Sequence, residues 1–231
     1  MKPSNIVLEG ITGSTAYGLA TPSSDIDIKG VHLLPLRDVL KMGFSEKHTT
    51  VNHVNPDWAY HEVGKFMKLA IAGNPTVTEL LYLESYTVMT PKGQALIDNR
   101  DKFLCTKAVS DAYRGYARSQ ADKLNRRIQQ GLEGYDSALK NRFAKHTRHL
   151  MRLMLQAEQL LTTGTLTVRL NDEQVKKCFA FGELQTDEVI DGFFEMDNKV
   201  KALEKTSVLP DRPDIEALNN LLFDIRLGNV V

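Results

Sequence analysis

The stretch Gly13-Ser14-Thr15-Ala16-Tyr17-Gly18-Leu19-Ala20-Thr21-Pro22-Ser23-Ser24-Asp25-Ile26-Asp27 sets a Gly-Ser pair ten residues ahead of an Asp-x-Asp pair. In extended backbone, residues i and i+2 point to one face, so Asp25 and Asp27 present two carboxylates about 6.5 to 7 Å apart along the chain. Like charges held that close either raise a pKa or recruit a hard cation, and Mg²⁺ takes carboxylate oxygens while keeping positions for water and substrate phosphates. Gly13 permits close backbone approach, and Ser14 with the neighbouring N–H groups suits a phosphate. A phosphate loop beside a metal dyad predicts phosphoryl-type chemistry.

Two-metal transfer needs a further ligand. Asp57, in Asn55-Pro56-Asp57-Trp58-Ala59-Tyr60, is the first candidate, brought alongside the dyad by a hairpin from the second strand. Glu62 is the second choice; its ordinary role would be that of a first-turn acid facing a helix dipole.

The elements that must position these groups fall into two regimes. Up to about Leu104 the pattern is mixed: a strand-like run Ile6 to Thr12, a Gly/Ser/Thr/Pro-rich loop from Gly13 to Ser24, and a second strand-like run from Ile26 to Leu34. His61 to Ala72 carries apolar Val63, Phe66, Met67 and Ala70 at helical spacing; Asn74-Pro75 stops that helix and starts another over Thr76 to Leu83, and Thr90-Pro91 repeats the start signal. Beyond, helices are expected over Ala108 to Gln130, Ser137 to Thr163, a segment opened by the box-like Asn171-x-x-Gln174, Thr186 to Lys205 and Pro213 to Leu227, with only Thr165 to Leu170 extended. The expected architecture is α+β, with residues 1–104 an α/β domain and residues 105–231 a helical domain.

On the helix from Ser137 to Thr163, Lys145, His149, Arg152 and Gln156 fall in one narrow stripe at about 100° per residue. Leu139, Phe143, Leu150, Leu153, Ala157 and Leu161 lie on a broader adjacent face. The apolar face is expected to pack and the polar stripe to stay free. A weaker polar face on the preceding helix runs Tyr116, Gln120, Lys123 and Arg127.

Composition narrows the classes. The chain has 231 residues, with 29 Lys+Arg against 29 Asp+Glu; zero formal charge excludes a generally basic nucleic-acid binder but leaves local patches. Its two cysteines, Cys105 and Cys178, do not make a disulfide framework or a Cys-rich zinc site, and both read as buried small hydrophobes. His48, His53 and His61 do not have zincin spacing, and neither a Gly-x-Ser-x-Gly elbow nor a Gly-x4-Gly-Lys-[Ser/Thr] loop occurs. The N-terminus is not signal-like and no window approaches the ~18 apolar residues of a membrane span. A soluble cytoplasmic protein is expected.

Gly13-Ser14 followed by Asp25-x-Asp27 resembles the signature of the DNA polymerase beta nucleotidyltransferase superfamily. Tyr17-Gly18, Thr21-Pro22, Gly30-Val31, Lys65-Phe66, Gly73-Asn74-Pro75 and Glu79-Leu80-Leu81 are similar to its RNA-repair-associated, RlaP-like branch. In the helical half the similarity rests on Gly115-Tyr116-Ala117, Lys145, His149, Arg152 and Leu160-Leu161-x-x-Gly164. Position 15 is Thr where many relatives carry a basic residue. The resemblance implies a polymerase-beta-like fold in which Asp25 and Asp27 bind metal, Asp57 completes the triad, and Gly13 with Ser14 contacts the triphosphate. Lys145 and Arg152 are then expected to face the triphosphate and His149 to stack or hydrogen-bond.

The expected activity is Mg²⁺- or Mn²⁺-dependent transfer of a nucleoside monophosphate from a nucleoside triphosphate to an acceptor hydroxyl, an RNA 3′ end first. A protein or small-alcohol acceptor is the alternative within enzymes. A catalytically silent nucleotide-binding module of the same fold is the rival outside them. No protein partner is read from the chain.

Overall fold

The computed structural model describes residues 1–54, 56–129 and 137–230; the side chains of residues 48, 124, 125, 127–129 and 137–140 are outside the description. It falls into two compact units, one of 1–105, 167–169 and 212–231, the other of 106–166 and 170–211.

The first unit is a five-stranded mixed sheet with helices. Its strands are β1 (Ile6–Thr12), β2 (Asp27–His32), β3 (Val51–Val54), β4 (Asp57–Glu62) and β5 (Val88–Met89), in the order β3-β4-β2-β1-β5. β1 and β2 are antiparallel, β2 and β4 parallel, and β3 with β4 forms the hairpin. Asp57 therefore reaches β2 through a crossover containing α2 (Leu36–Val39) and β3, not by a hairpin from the second strand. A parallel neighbour requires such a connection.

The helices of this unit follow their local signals. The first five residues of the expected loop instead form a short helix, α1 (Gly13–Tyr17), closed by Gly18 at φ 75° and tied down by the Tyr17 hydroxyl, which donates to Glu79 Oε2 at 2.5 Å. In α3 (Val63–Ile71) the apolar positions Val63, Phe66, Met67 and Ala70 are all buried. It begins two residues later than the pattern suggests, because His61 and Glu62 pair with Val31 and His32 of β2. Asn74 caps α4 (Pro75–Thr78), which runs into a 3-10 turn at Glu79–Tyr82, and Thr90 caps α5 (Pro91–Asp98). Leu8, Val31, Phe66, Leu80, Leu96 and Phe103 form the core, each worth about 1.5–3 kcal/mol when fully buried.

The second unit contains α6 (Thr106–Gln129), α7 (Ser137–Thr163), α8 (Asp172–Gly182) and α9 (Thr186–Leu203). The Asn171/Gln174 capping box opens α8 as expected. Asp197, buried in α9, accepts from Arg114 Nε at 2.8 Å and Nη2 at 2.7 Å, and from Arg118 at 3.2 Å. Residues 165–170 have no strand assignment: Leu166, Val168 and Leu170 are buried through side-chain packing, which mimics the alternation of a strand.

The final helix, α10 (Ile215–Leu227), belongs to the first unit rather than to the helical half. Arg226 on it meets the buried Glu62 carboxylate at 2.9 Å, and the Asp214 N–H donates to the Lys102 carbonyl at 3.0 Å. Among the described residues, no helix is long and apolar enough to cross a membrane.

Candidate active site

Asp25, Asp27 and Asp57 lie at one end of the sheet, at or just before the first residues of β2 and β4. Ile28 of β2 pairs with Trp58 of β4, and the residue before each is Asp27 and Asp57. Parallel strands in register point matching residues to the same face, so the two carboxylates stand on adjacent strands about 4.7–4.9 Å apart at the backbone. Thr12, the last residue of β1, pairs with Asp27 on its other side. Asp57 is exposed and Asp27 half-buried.

Asp25 precedes the strand, which begins at Asp27 and not at Ile26. A turn clipped by Ser24 delivers it: the Ser24 N–H donates to the Thr21 carbonyl at 2.9 Å, and the Thr21 N–H donates to Ser24 Oγ at 2.8 Å. Its side chain is exposed. Among the described residues, no three His, Cys, Asp or Glu side chains close into a metal-sized cluster. The oxygen-only donor set of Asp25, Asp27 and Asp57 is nonetheless the chemistry of a hard divalent ion.

Gly13 packs directly onto this group. Its φ is +67°, and a Cβ built there would fall on the Asp27 carboxylate. Glycine thus has two reasons at this position, backbone conformation and room for Asp27. Ser14 follows it, half-buried, on the flank of Asp27 formed by β1 and α1.

The register that aligns the acids is locked deeper in the sheet. Glu9 of β1, Gly30 of β2 and Tyr60 of β4 form one row across the opposite face. The Tyr60 ring lies across Gly30, where a Cβ would come within 2.6 Å of it, and its hydroxyl donates to Glu9 Oε2. Lys2 at 3.1 Å and Thr87 at 2.8 Å complete the coordination of Glu9. Burial pushes the Glu9 carboxyl up, but hydrogen bonds from Tyr60, Thr87 and Lys2 outweigh it and hold it below the ordinary range; burial and Glu9 push Tyr60 up to about 12. Nothing in the local sequence marks this row, since its partners are separated by the crossover.

Glu62, the second choice for the third acid, lies at the other end of β4 and on the other face from Asp57. It is fully buried, caps α3 by accepting from the Gly64 N–H at 2.8 Å, and pairs with Arg226. Its carboxylate is committed to structure.

On α7 the expected free stripe is partly internal. Lys145 is exposed and His149 half-buried, but Arg152 and Gln156 are buried, with Arg152 Nη1 donating to Gln156 Oε1 at 2.7 Å. Burial, then Arg152 and Lys145, push His149 down to about 3, so its ring is neutral at physiological pH. The stripe is covered because α7 packs against several helices of its own unit, which one-helix periodicity does not register. On α6, Tyr116 and Lys123 are exposed and Gln120 hydrogen-bonds His146 at 2.8 Å; Arg127 of that face and Leu139 of the apolar face on α7 lie outside the described side chains. Both cysteines are buried, and burial pushes Cys178 up to about 11, so it packs rather than reacts.

No motif in the sequence marks Lys29. It stands two residues beyond Asp27, hence on the face of both acids, between Gly10 of β1 and Ala59 of β4. The signal was the same i, i+2 rule that picked out Asp25 and Asp27.

Comparison with known proteins agrees with this architecture. The model of the family described as "RlaP: RNA repair pathway DNA polymerase beta family" matches residues 1–224. A protein of Enterobacteria phage T4, described as "Uncharacterized 38.9 kDa protein in nrdC-mobD intergenic region", is 32% identical over 130 residues. That match covers 51% of this chain and 38% of the phage protein, so the chain spans well under half the length of this relative. The chain belongs to the RNA repair pathway DNA polymerase beta family, and its polymerase-beta-like mixed sheet followed by helices fits that membership. Membership points to a nucleotidyltransferase-type role.

Proposed function

We propose that this family member transfers a nucleoside monophosphate from a nucleoside triphosphate to an acceptor hydroxyl, with an RNA 3′ end the favoured acceptor. The new bond joins the acceptor oxygen to the α-phosphorus, the bond from that phosphorus to the bridging oxygen of the β-phosphate breaks, and pyrophosphate leaves with the electron pair. The hydroxyl proton passes to water.

Asp25, Asp27 and Asp57 are the residues that would hold Mg²⁺ or Mn²⁺. Bound there, a divalent ion supplies charge neutralisation for the triphosphate and a lowered proton affinity for the attacking hydroxyl. Gly13 lets the backbone approach the triphosphate, and the Ser14 hydroxyl donates to one of its oxygens. Asp57, on the flank away from Gly13 and Ser14, faces the acceptor. The chain contributes position and charge more than covalent chemistry.

The observation that supports this reading is the parallel β2/β4 register, which sets Asp27 beside Asp57. Incubation with α-labelled nucleoside triphosphates, Mg²⁺ or Mn²⁺ and total RNA tests it. Label is expected to enter RNA and to fall at least about 100-fold with Asp27→Asn. Tight, metal-dependent nucleotide binding without transfer to RNA, protein or small alcohols would instead identify a silent nucleotide-binding module.

A further inference from the structure

We infer that a cavity at the opposite end of β1 and β2 from Asp27 is a second binding site, built for a small amphipathic monoanion with a carboxylate head on an aliphatic body. The inference does not depend on the transferase reading above.

The cavity measures about 580 Å³, within the range of small-molecule sites. It lies in the first unit where β1 begins and β2 ends, bounded by Ile6, by residues 33–36, by the start of α5 and by Arg226 near the end of α10. Thr12 pairs with Asp27 at the other end of the same two strands. The rise from Ile6 to Thr12, about 3.3 Å per residue, separates the two ends by roughly 20 Å. A ligand held in the cavity is out of reach of the acids and takes no part in chemistry there.

The walls decide the body of the ligand. Ile6, Leu33, Leu34 and Leu36 supply branched aliphatic side chains, with Pro35 and Pro91 beside them. Ile6, Leu33 and Leu34 are only half-buried and Leu36 is exposed, so this apolar surface is open to be covered. Among the described residues, no aromatic ring lines the cavity. A planar base would find no stacking surface there, whereas an alkyl chain buries apolar area against these walls.

The charges decide its head. Lys92 and Arg226 are the cations of the lining, and no acid joins them among the described residues. Arg226 is matched by Glu62, which accepts from Nη2 at 2.9 Å and does not itself line the cavity. The Nη1 of Arg226 is buried with no protein partner. A buried guanidinium N–H without an acceptor is costly, so this atom favours an oxygen brought by a ligand. Lys92 is half-buried and makes no ion pair among the described residues. It sits in the first turn of α5, where Thr90 caps the Gly93 N–H and no acid offsets the positive end of the helix. With Glu62 balancing Arg226, one positive charge is left over. A carboxylate matches it, and a doubly charged phosphate exceeds it.

Isothermal titration calorimetry of the full chain with decanoate tests the site, beside decanol, acetate and decyl phosphate. Saturable binding of decanoate is expected, weakened about tenfold or more by Lys92→Glu, which reverses the unmatched charge, and by Leu36→Trp, which fills the space against the wall. Lys92→Arg, which keeps the charge, should stay within about twofold of the parent protein. Decanol, a body without a charge, should bind at least about tenfold more weakly than decanoate, and acetate, a head without a body, should show no binding at the same concentration. Circular dichroism matching the parent identifies the variants as folded, as their surface positions lead one to expect. Failure of decanoate to bind the parent protein, or binding that neither Lys92→Glu nor Leu36→Trp moves, would overturn the inference. Decyl phosphate bound more tightly than decanoate would overturn it too, because the head would then be a dianion.

Discussion

Strand β4 carries an acid at each end and treats the two in opposite ways. Glu62 is completely buried, and each of its functions is structural: it caps α3, and it takes the Arg226 guanidinium from the last helix. Asp57 is exposed at the opposite end, on the other face, in register with Asp27. A carboxylate that has been desolvated must be matched by donors, and once matched it is not available to a ligand. One left at the water-facing end of a sheet, beside a second acid, has no such commitment. The two candidates for a third metal ligand are thus separated by environment, although both belong to one six-residue strand.

That contrast can be broken by mutation. Glu62→Ala leaves Arg226 buried without its counter-charge and should cost about 3–5 kcal/mol in urea unfolding, whereas Asp57→Asn should stay within about 0.5 kcal/mol of the parent. Equal losses for both would erase the distinction.

Gly13→Ala sharpens it from the side of the open site. A left-handed backbone costs a non-glycine residue about 1–2 kcal/mol, and the added methyl would displace Asp27. Stability should fall by that amount, with a loss of Mn²⁺ affinity that Glu62→Gln does not produce. Retained Mn²⁺ affinity in Gly13→Ala would show that Asp27 can move without consequence.

The smallest effect concerns pH. Burial pushes His149 down to about 3 and His61 down to about 4, below the ordinary value of 6.5 in the unfolded chain. The unfolded state therefore binds more protons in this range, and the stability present above pH 6.5 is lost as pH falls toward 4 and 3. His149→Gln should flatten the acid side of the urea midpoint curve relative to the parent. An identical slope in the two proteins would show that His149 does not contribute.

What could be read in the sequence was local. Gly13, Ser14, Asp25 and Asp27 lie within one short stretch, and the caps at Asn74, Thr90 and Asn171 are decided by side chains bonding backbone a few residues on. Family membership, the α+β fold and the β1 span were therefore accessible. The β2/β4 pairing was not, because thirty residues and an intervening edge strand separate Asp27 from Asp57, and the short strands β3 and β5 carry too few residues to show a period. The return of α10 to the first unit depends on a contact between residues 62 and 226. Burial of Arg152 and Gln156 depends on helices that the periodicity of α7 does not describe.

The central claim is that Asp27 and Asp57, side by side at the open end of the sheet, hold the divalent ion. Electron paramagnetic resonance of Mn²⁺ titrated into the parent, Asp27→Asn, Asp57→Asn and Glu62→Gln proteins tests it most directly. The account predicts bound Mn²⁺ in the parent and in folded Glu62→Gln, with affinity lost in both Asp variants. Mn²⁺ bound equally well by Asp27→Asn and Asp57→Asn would contradict it.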